Sequence, residues 1–199
     1  MDMSNSRNPV VLIHGIFRKA YVFNRMEKYL KERGWEVHRF DLVPNTSIVG
    51  LDRLALQIKT YVDEHFAPDQ PIDLVGLSMG GLVSRYYVQR LGGLERIQRF
   101  ITISSPHHGT YLAYLLPFIG CVQMRPGSEF LVDLNAEVQQ LEQVKFSSLW
   151  TPYDFVIVPA KSSQMPVGKN VKLCVFPHAM MVRSHSTLVT VEKALTDKR

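Results

Sequence analysis

The segment running from residue 72 to residue 91 constrains this chain more than any other. An apolar run over residues 72–77 passes into an amphipathic helical pattern over residues 79–91, with only Ser78 at the junction and Gly92-Gly93 closing the helix. A strand that turns into a helix without a loop brings the two backbones close together, so the residues two before and two after the turn must be small. Gly76 and Gly80 stand there, in a Gly-x-Ser-x-Gly order. The residue at the apex projects above the sheet at a helix N-terminus, where free N–H groups and the helix dipole favour negative charge. The plainer alternative is a glycine-rich turn with an incidental serine, and the strand–turn–helix context argues against it.

The same rhythm repeats along the chain. Strands are predicted at residues 9–13, 35–42, 72–77, 98–103, 145–150 and 171–176. Between them lie a helix over 21–33, with Phe23, Met26 and Leu30 on one face and Gly34 as its stop, and a second helix marked by Leu51, Leu54, Ile58, Val62 and Phe66, closed by Pro68. Leu188, Val191 and Leu195 mark a last helix, with Ser186 as its expected N-cap. Alternating strands and helices imply one domain with a mainly parallel sheet covered on both faces. Sites in such sheets form beyond the carboxyl ends of the strands, so a catalytic residue should follow a strand.

Residues 105–144 break the rhythm: about 40 residues separate two strands, far more than a usual connection. They hold the apolar stretch 111–122 and a helix expected from near Ser128, with Leu131, Leu134, Val138 and Leu141 on one face. The expectation is a cap over the carboxyl end of the sheet; a crossover helix with an irregular lead-in is the alternative.

The net charge of +5 comes from scattered Lys and Arg, with Arg90, Arg96 and Arg99 the densest group. That spread describes a solvated face, not a nucleic-acid site, and leaves attraction to an anionic membrane surface open. The polar start, Met1 to Asn8, has no apolar core of a signal peptide, and no apolar run approaches the ~20 residues of a spanning helix. These features predict a cytoplasmic protein, in peripheral contact with a membrane at most. Cys174, inside an expected strand, is expected as a buried thiol, and a disulfide to Cys121 is disfavoured. No Cys/His spacing suggests a metal.

A serine hydroxyl needs a base, an orienting acid and an oxyanion hole to act as a nucleophile. After the first strand, His14-Gly15-Ile16-Phe17 offers the N–H of Ile16, and the N–H of Met79 is the natural second donor. His14 itself reads as a structural histidine bonded near that turn. Of the aspartates, Asp73 lies at the wrong end of its strand, Asp41 precedes the nucleophile and Asp133 falls on the expected solvated helix. Asp154 follows the fifth strand, in the order Ser, Asp, His. For the base the strand-end rule favours His178, which follows the sixth expected strand by one proline; His185 remains the alternative. His107 and His108 follow the fourth strand and are expected to shape the loop beside the site.

With these residues placed, the chain resembles the α/β-hydrolases of the small bacterial lipase and esterase type. "VVLIHGIF" resembles their oxyanion segment, "DLVGLSMGG" their nucleophile turn and "ISSPHHGT" the loop after the next strand. "PYDFVIVP" resembles the acid loop and "FPHAMMV" the histidine loop. The middle of the chain is similar to cyanobacterial acylglycerol lipases. Pro177 stands where many of these lipases have glycine. The resemblance implies an α/β-hydrolase fold, with a minimal, mostly parallel six-stranded sheet, helices on both faces and a small cap. It implies Ser78 as nucleophile, Asp154 as orienter, His178 as base, and Ile16 and Met79 as oxyanion donors. The implied reaction is acyl transfer without cofactor or metal on a lipid or other ester. A short-chain esterase and an acyltransferase remain alternatives, and the oligomeric state is left unset.

Overall fold

A computed structural model describes residues 7–197; most of the polar start on which the signal-peptide expectation rests lies outside them. In chain order the elements are β1 (Val10–Ile13), α1 (Asn24–Lys31), β2 (Val37–Arg39), α2 (Leu51–His65), β3 (Ile72–Leu77), α3 (Met79–Arg90) and β4 (Ile97–Ile103). There follow α4 (Ile119–Gln123), α5 (Glu129–Ala136), β5 (Lys145–Trp150), β6 (Lys169–Lys172) and α6 (His185–Thr196). The strands form one sheet in the order β2-β1-β3-β4-β5-β6, and every neighbouring pair is parallel.

Strand periodicity explains the two cores. Successive side chains point to opposite faces, so β1 sends Val11 and Ile13 towards α2 and α3, and Val10 and Leu12 towards α1 and α6. All four are fully buried. The first core joins Leu74 and Phe100 of the sheet to Leu54, Ile58, Leu82 and Val83. The second joins Val75 and Ile101 to Met26, Leu30, Leu188 and Val191. Each such side chain contributes about 1.5–3 kcal/mol by leaving water.

The long connection between β4 and β5 divides in two. Its second half is a crossover: Leu131, Val138 and Leu141 pack into the first core. Arg85 of α3 fixes its position. This arginine is fully buried, and its guanidinium donates to the Leu134 carbonyl at 2.7 Å and to the Asn135 side chain at 2.8 Å. Gln89 donates to the carbonyls of Leu134 and Glu137. Together they satisfy the carbonyls at the C-terminus of α5, where a cation also opposes the helix dipole. Burial, and to a lesser degree the charge of Arg90, pulls the Arg85 pKa down to about 9, which leaves it charged at neutral pH. Among the described residues no helix is long and apolar enough to cross a membrane.

Four local expectations are corrected. The first helix is a 3-10 turn at Ala20–Phe23 before α1 begins. The sixth strand ends at Lys172, a short, largely exposed edge strand flanked by Lys169 and Lys172, charges of the kind that discourage pairing with another chain. Beyond it one more backbone bond, from the Leu173 N–H to the Trp150 carbonyl, holds the chain to β5, and the alternation continues: Leu173 and Val175 turn inward and Cys174 outward, so Cys174 is an exposed thiol while Cys121 is buried, and both are free. Ser184, not Ser186, caps α6, its side chain accepting from the Thr187 N–H.

At the amino end of the sheet, Asp73 is the second residue of β3 and wholly buried. Burial pushes its carboxyl up to about 6, against the pull of Arg99 and the Asn8 amide. A carboxyl raised in the folded state contributes stability that is complete below its unfolded pKa of about 3.9 and is lost as pH rises through about 6. The difference in urea midpoint between wild type and Asp73→Asn should therefore move against wild type between pH 4 and 7. Parallel curves across that range would show that Arg99 holds the carboxylate ionised throughout.

Candidate active site

The turn between β3 and α3 is tightly determined. Ser78 sits at φ 54°, ψ −124°, a conformation costly for a residue with a side chain. Its N–H donates to the Ile103 carbonyl at the end of β4, 2.8 Å away. A Cβ on Gly80 would lie 2.4 Å from the carbonyl oxygens of both Ile13 and His14, and one on Gly76 would lie 2.5 Å from the Cα of Gly81. Backbone fills those spaces, so only glycine fits. Ser78 is nearly buried, with its hydroxyl at the meeting point of two cavities.

The segment leaving β1 wraps against this turn. The Phe17 N–H donates to the Asn45 carbonyl and the Arg18 N–H to that of Gly15, while among the described residues nothing accepts from the N–H of Ile16 or of Met79. Ile16 lines both cavities that Ser78 lines, and Met79 follows Ser78 directly in the chain. His14 is fully buried below. Its Nε2 accepts from the Leu42 N–H at 2.9 Å, so its proton is on Nδ1, which donates to the Gly15 carbonyl. Burial pushes its pKa down, against the Gly15 carbonyl and the charge of Asp41. It is therefore a neutral tie between the two loops, as its position in the sequence implies.

Asp154 and His178 meet on the other side of the turn. Asp154 Oδ1 accepts the N–H groups of Val156 and Ile157, at 3.0 and 2.9 Å, and Oδ2 accepts from His178 Nδ1 at 2.7 Å. Burial works to raise the Asp154 pKa, but His178 and the two backbone donors together hold it below the usual range. An ionised carboxylate only accepts, so His178 carries its proton on Nδ1 and turns Nε2 outward as an acceptor. His178 and Ser78 line the same cavity, of about 460 Å³. Among the described residues Ser78 Oγ makes no hydrogen bond, to His178 or to any other group. In enzymes without ligand such bonds are often long and tighten when substrate arrives.

The other histidines are elsewhere. His185 opens α6, exposed, with its ring edge-on to Tyr29, and it does not bond Asp154. His107 is fully buried with Nε2 against the Thr102 hydroxyl, and burial, then the charges of Arg85 and His108, hold its pKa far down. Its carbonyl accepts from Asn135, which Arg85 also holds. Arg85 is the positioning residue that the sequence reading missed; an arginine inside an otherwise apolar helix face was the available signal. Asp133 is exposed and paired with Arg90, and Asp41 caps the Ala20 N–H.

The second cavity, about 390 Å³, shares Ile16, Phe17, Ser78 and Val156 with the first. Its far wall is Leu112, Leu115, Leu116, Cys121 and Met124, all from the first half of the long connection, and no charged residue lines it. Stretch 111–122 is thus not plain core: Tyr111, Tyr114, Leu115 and Ile119 are exposed, and Leu115 is 77% so.

A parallel sheet carrying a strand–Ser–helix turn, with a carboxylate-bound histidine beyond later strands, is an α/β-hydrolase. Solved structures share the fold across almost the whole chain. The mature lipase BlEst2 of Bacillus licheniformis superposes with a TM-score of 0.80 at 17% identity, covering 98% of this chain and 94% of that one. Lipase B of Aspergillus fumigatus superposes at 0.82 and 18% identity, covering 98% and 54%. Over residues 9–124 the sequence matches the palmitoyl protein thioesterase model, and the chain belongs to that family. It is 25% identical over 116 residues to the lysosomal thioesterase PPT2-B of Xenopus laevis, across 56% of this chain and 40% of that protein's length. The matched region includes Ser78, Ile16 and the apolar cavity wall and ends before Asp154 and His178, so those two stand on their geometry.

Nuclear magnetic resonance of the His14 ring nitrogens should show a proton on Nδ1 and a titration midpoint below 6.5. A midpoint at or above that value would contradict the buried neutral tie.

Proposed function

We propose that this protein is a serine hydrolase of long-chain acyl esters, oxygen esters or thioesters, acting through an acyl-enzyme on Ser78. The observation that carries this reading is the 2.7 Å bond between His178 and Asp154, with His178 facing the cavity that also holds the Ser78 hydroxyl. His178 Nε2 takes the Ser78 proton as Oγ attacks the acyl carbonyl. The N–H groups of Ile16 and Met79 receive the oxyanion, and Asp154 stabilises the imidazolium that forms. The imidazolium returns its proton to the departing alcohol or thiol. Water then enters, gives a proton to His178 and its oxygen to the acyl carbon, and the acid leaves as Ser78 regains its hydrogen.

The acyl chain belongs in the uncharged cavity under residues 111–124, the part of segment 105–144 that serves as a cap. The exposed Phe17, Tyr111, Tyr114, Leu115, Phe155 and Phe176 supply a greasy border through which the protein meets a lipid surface.

Hydrolysis of acyl-CoA and p-nitrophenyl esters of increasing chain length tests this reading. The rate should rise with chain length and fall by ~10⁴-fold or more in Ser78→Ala. Activity indifferent to Ser78 on every ester and thioester would sink it.

Asp154→Asn should lower kcat by about 10⁴-fold with KM little changed, because the His178 tautomer is then wrong. A loss confined to KM would assign Asp154 to binding instead.

Leu115→Asp should lose activity on long chains selectively. An equal loss at all lengths would remove residue 115 from the acyl path.

A further inference from the structure

Acyl transfer at Ser78 forms a tetrahedral carbon with two large substituents, the acyl chain and the leaving group, and two cavities meet at that serine. His178 must reprotonate the leaving group, so the leaving group lies in the cavity that His178 lines. Unlike the acyl cavity, this one carries charge. Arg18 enters from the segment after β1 and Arg183 from five residues beyond His178, and no acidic side chain lines it. Both backbones are held, Arg18 by Gly15 and Asn45 and Arg183 by the Met180 carbonyl. Their guanidinium groups form no ion pair or hydrogen bond among the described residues. Arg33, Arg39, Arg85, Arg90, Arg96 and Arg99, by contrast, are engaged by protein partners, and Arg25 and Arg53, exposed and equally unpaired among the described residues, line neither cavity.

Given that catalytic reading, we propose that Arg18 and Arg183 bind a phosphate group on the leaving group of the substrate. Two forked guanidinium donors flanking one cavity match the several oxygens of a phosphate, and such charge-assisted bonds exceed what a neutral glycerol or sugar would gain there. The phosphate belongs to a glycerophospholipid or to a phosphate-bearing thiol such as coenzyme A; the recognised chemistry is the same.

Binding and turnover test this separately. In calorimetry on Ser78→Ala protein, 1-octanoyl-glycerol 3-phosphate should bind at least about tenfold more tightly than 1-octanoyl-glycerol. The ratio should collapse towards one in the same protein carrying Arg18→Gln and Arg183→Gln, and in 0.5 M salt. In turnover, the kcat/KM ratio of the phosphate ester over the neutral ester should fall about tenfold in the Arg18→Gln, Arg183→Gln enzyme relative to wild type. Octanoyl-CoA as a third substrate identifies the source: faster turnover of the thioester points to the carrier thiol, and faster turnover of the glycerol phosphate ester to lipid. Equal binding of the two octanoyl-glycerol probes, or a ratio unmoved by the double substitution, would overturn the proposal. Absence of turnover on all three substrates would fail the hydrolase reading alone, since the binding ratio judges the arginines without it.

Discussion

Ser78 occupies a backbone conformation that costs of order 1–3 kcal/mol unless its surroundings leave no other. Three contacts leave no other. The Ile103 carbonyl at the end of β4 holds the Ser78 N–H, the carbonyls of Ile13 and His14 lie where a Gly80 side chain would be, and Gly81 presses on Gly76. The first two depend on β1, β3 and β4 lying side by side in parallel, so that three strand ends arrive at one place; the third is local to the β3–α3 turn. The sheet order is thus the cause of the site's shape. The same convergence brings Ile16, from the segment after β1, to the cavities that Ser78 lines.

The second half of the site is built on a different principle. Asp154 and His178 lie on irregular segments after β5 and β6, where no ladder fixes the backbone. Local hydrogen bonds do so instead: the Asp154 carboxylate saturates one oxygen with its own loop and gives the other to His178. A rigid turn made by packing faces a carboxylate–imidazole pair made by polar contacts. Arg85 and Gln89 add a polar support behind the serine turn by clamping the end of α5, whose Asn135 supports the loop at His107.

The fold was legible because its signals are periodic. The unbroken apolar run of β1 and the helical spacing in α2 and α3 come from burial on both faces of a parallel sheet, which leaves a strong apolar record. The same holds for Ser78, where steric exclusion demands glycine at fixed offsets. Boundaries failed where burial weakens. β6 is an edge strand whose residues face water, so its end was placed too late and Cys174 was turned the wrong way. Ser184 and Ser186 are equally good caps by residue type, and only the chain's path separates them. His178 was distinguished from His185 by position after a strand, although the strand stops earlier than expected. Arg85 left only one mark, a cation on an otherwise apolar helix face, and its partners, a carbonyl and a side chain about 50 residues away, left none nearby. Nor does the order Ser78, Asp154, His178 separate oxygen esters from thioesters, because the proposed roles are the same for both.

The division of the site along the chain has a consequence for biosynthesis. A ribosome delivers the Ser78 turn, the segment after β1 and the apolar wall before it delivers β5. Asp154 and His178 follow only after β5 and after β6. Domains fold as units, so until the segments after β5 and β6 join the sheet the Ser78 hydroxyl has neither Asp154 nor His178 beside it. On the proposed reading the order of the strands, not a dedicated device, sets when the site becomes complete.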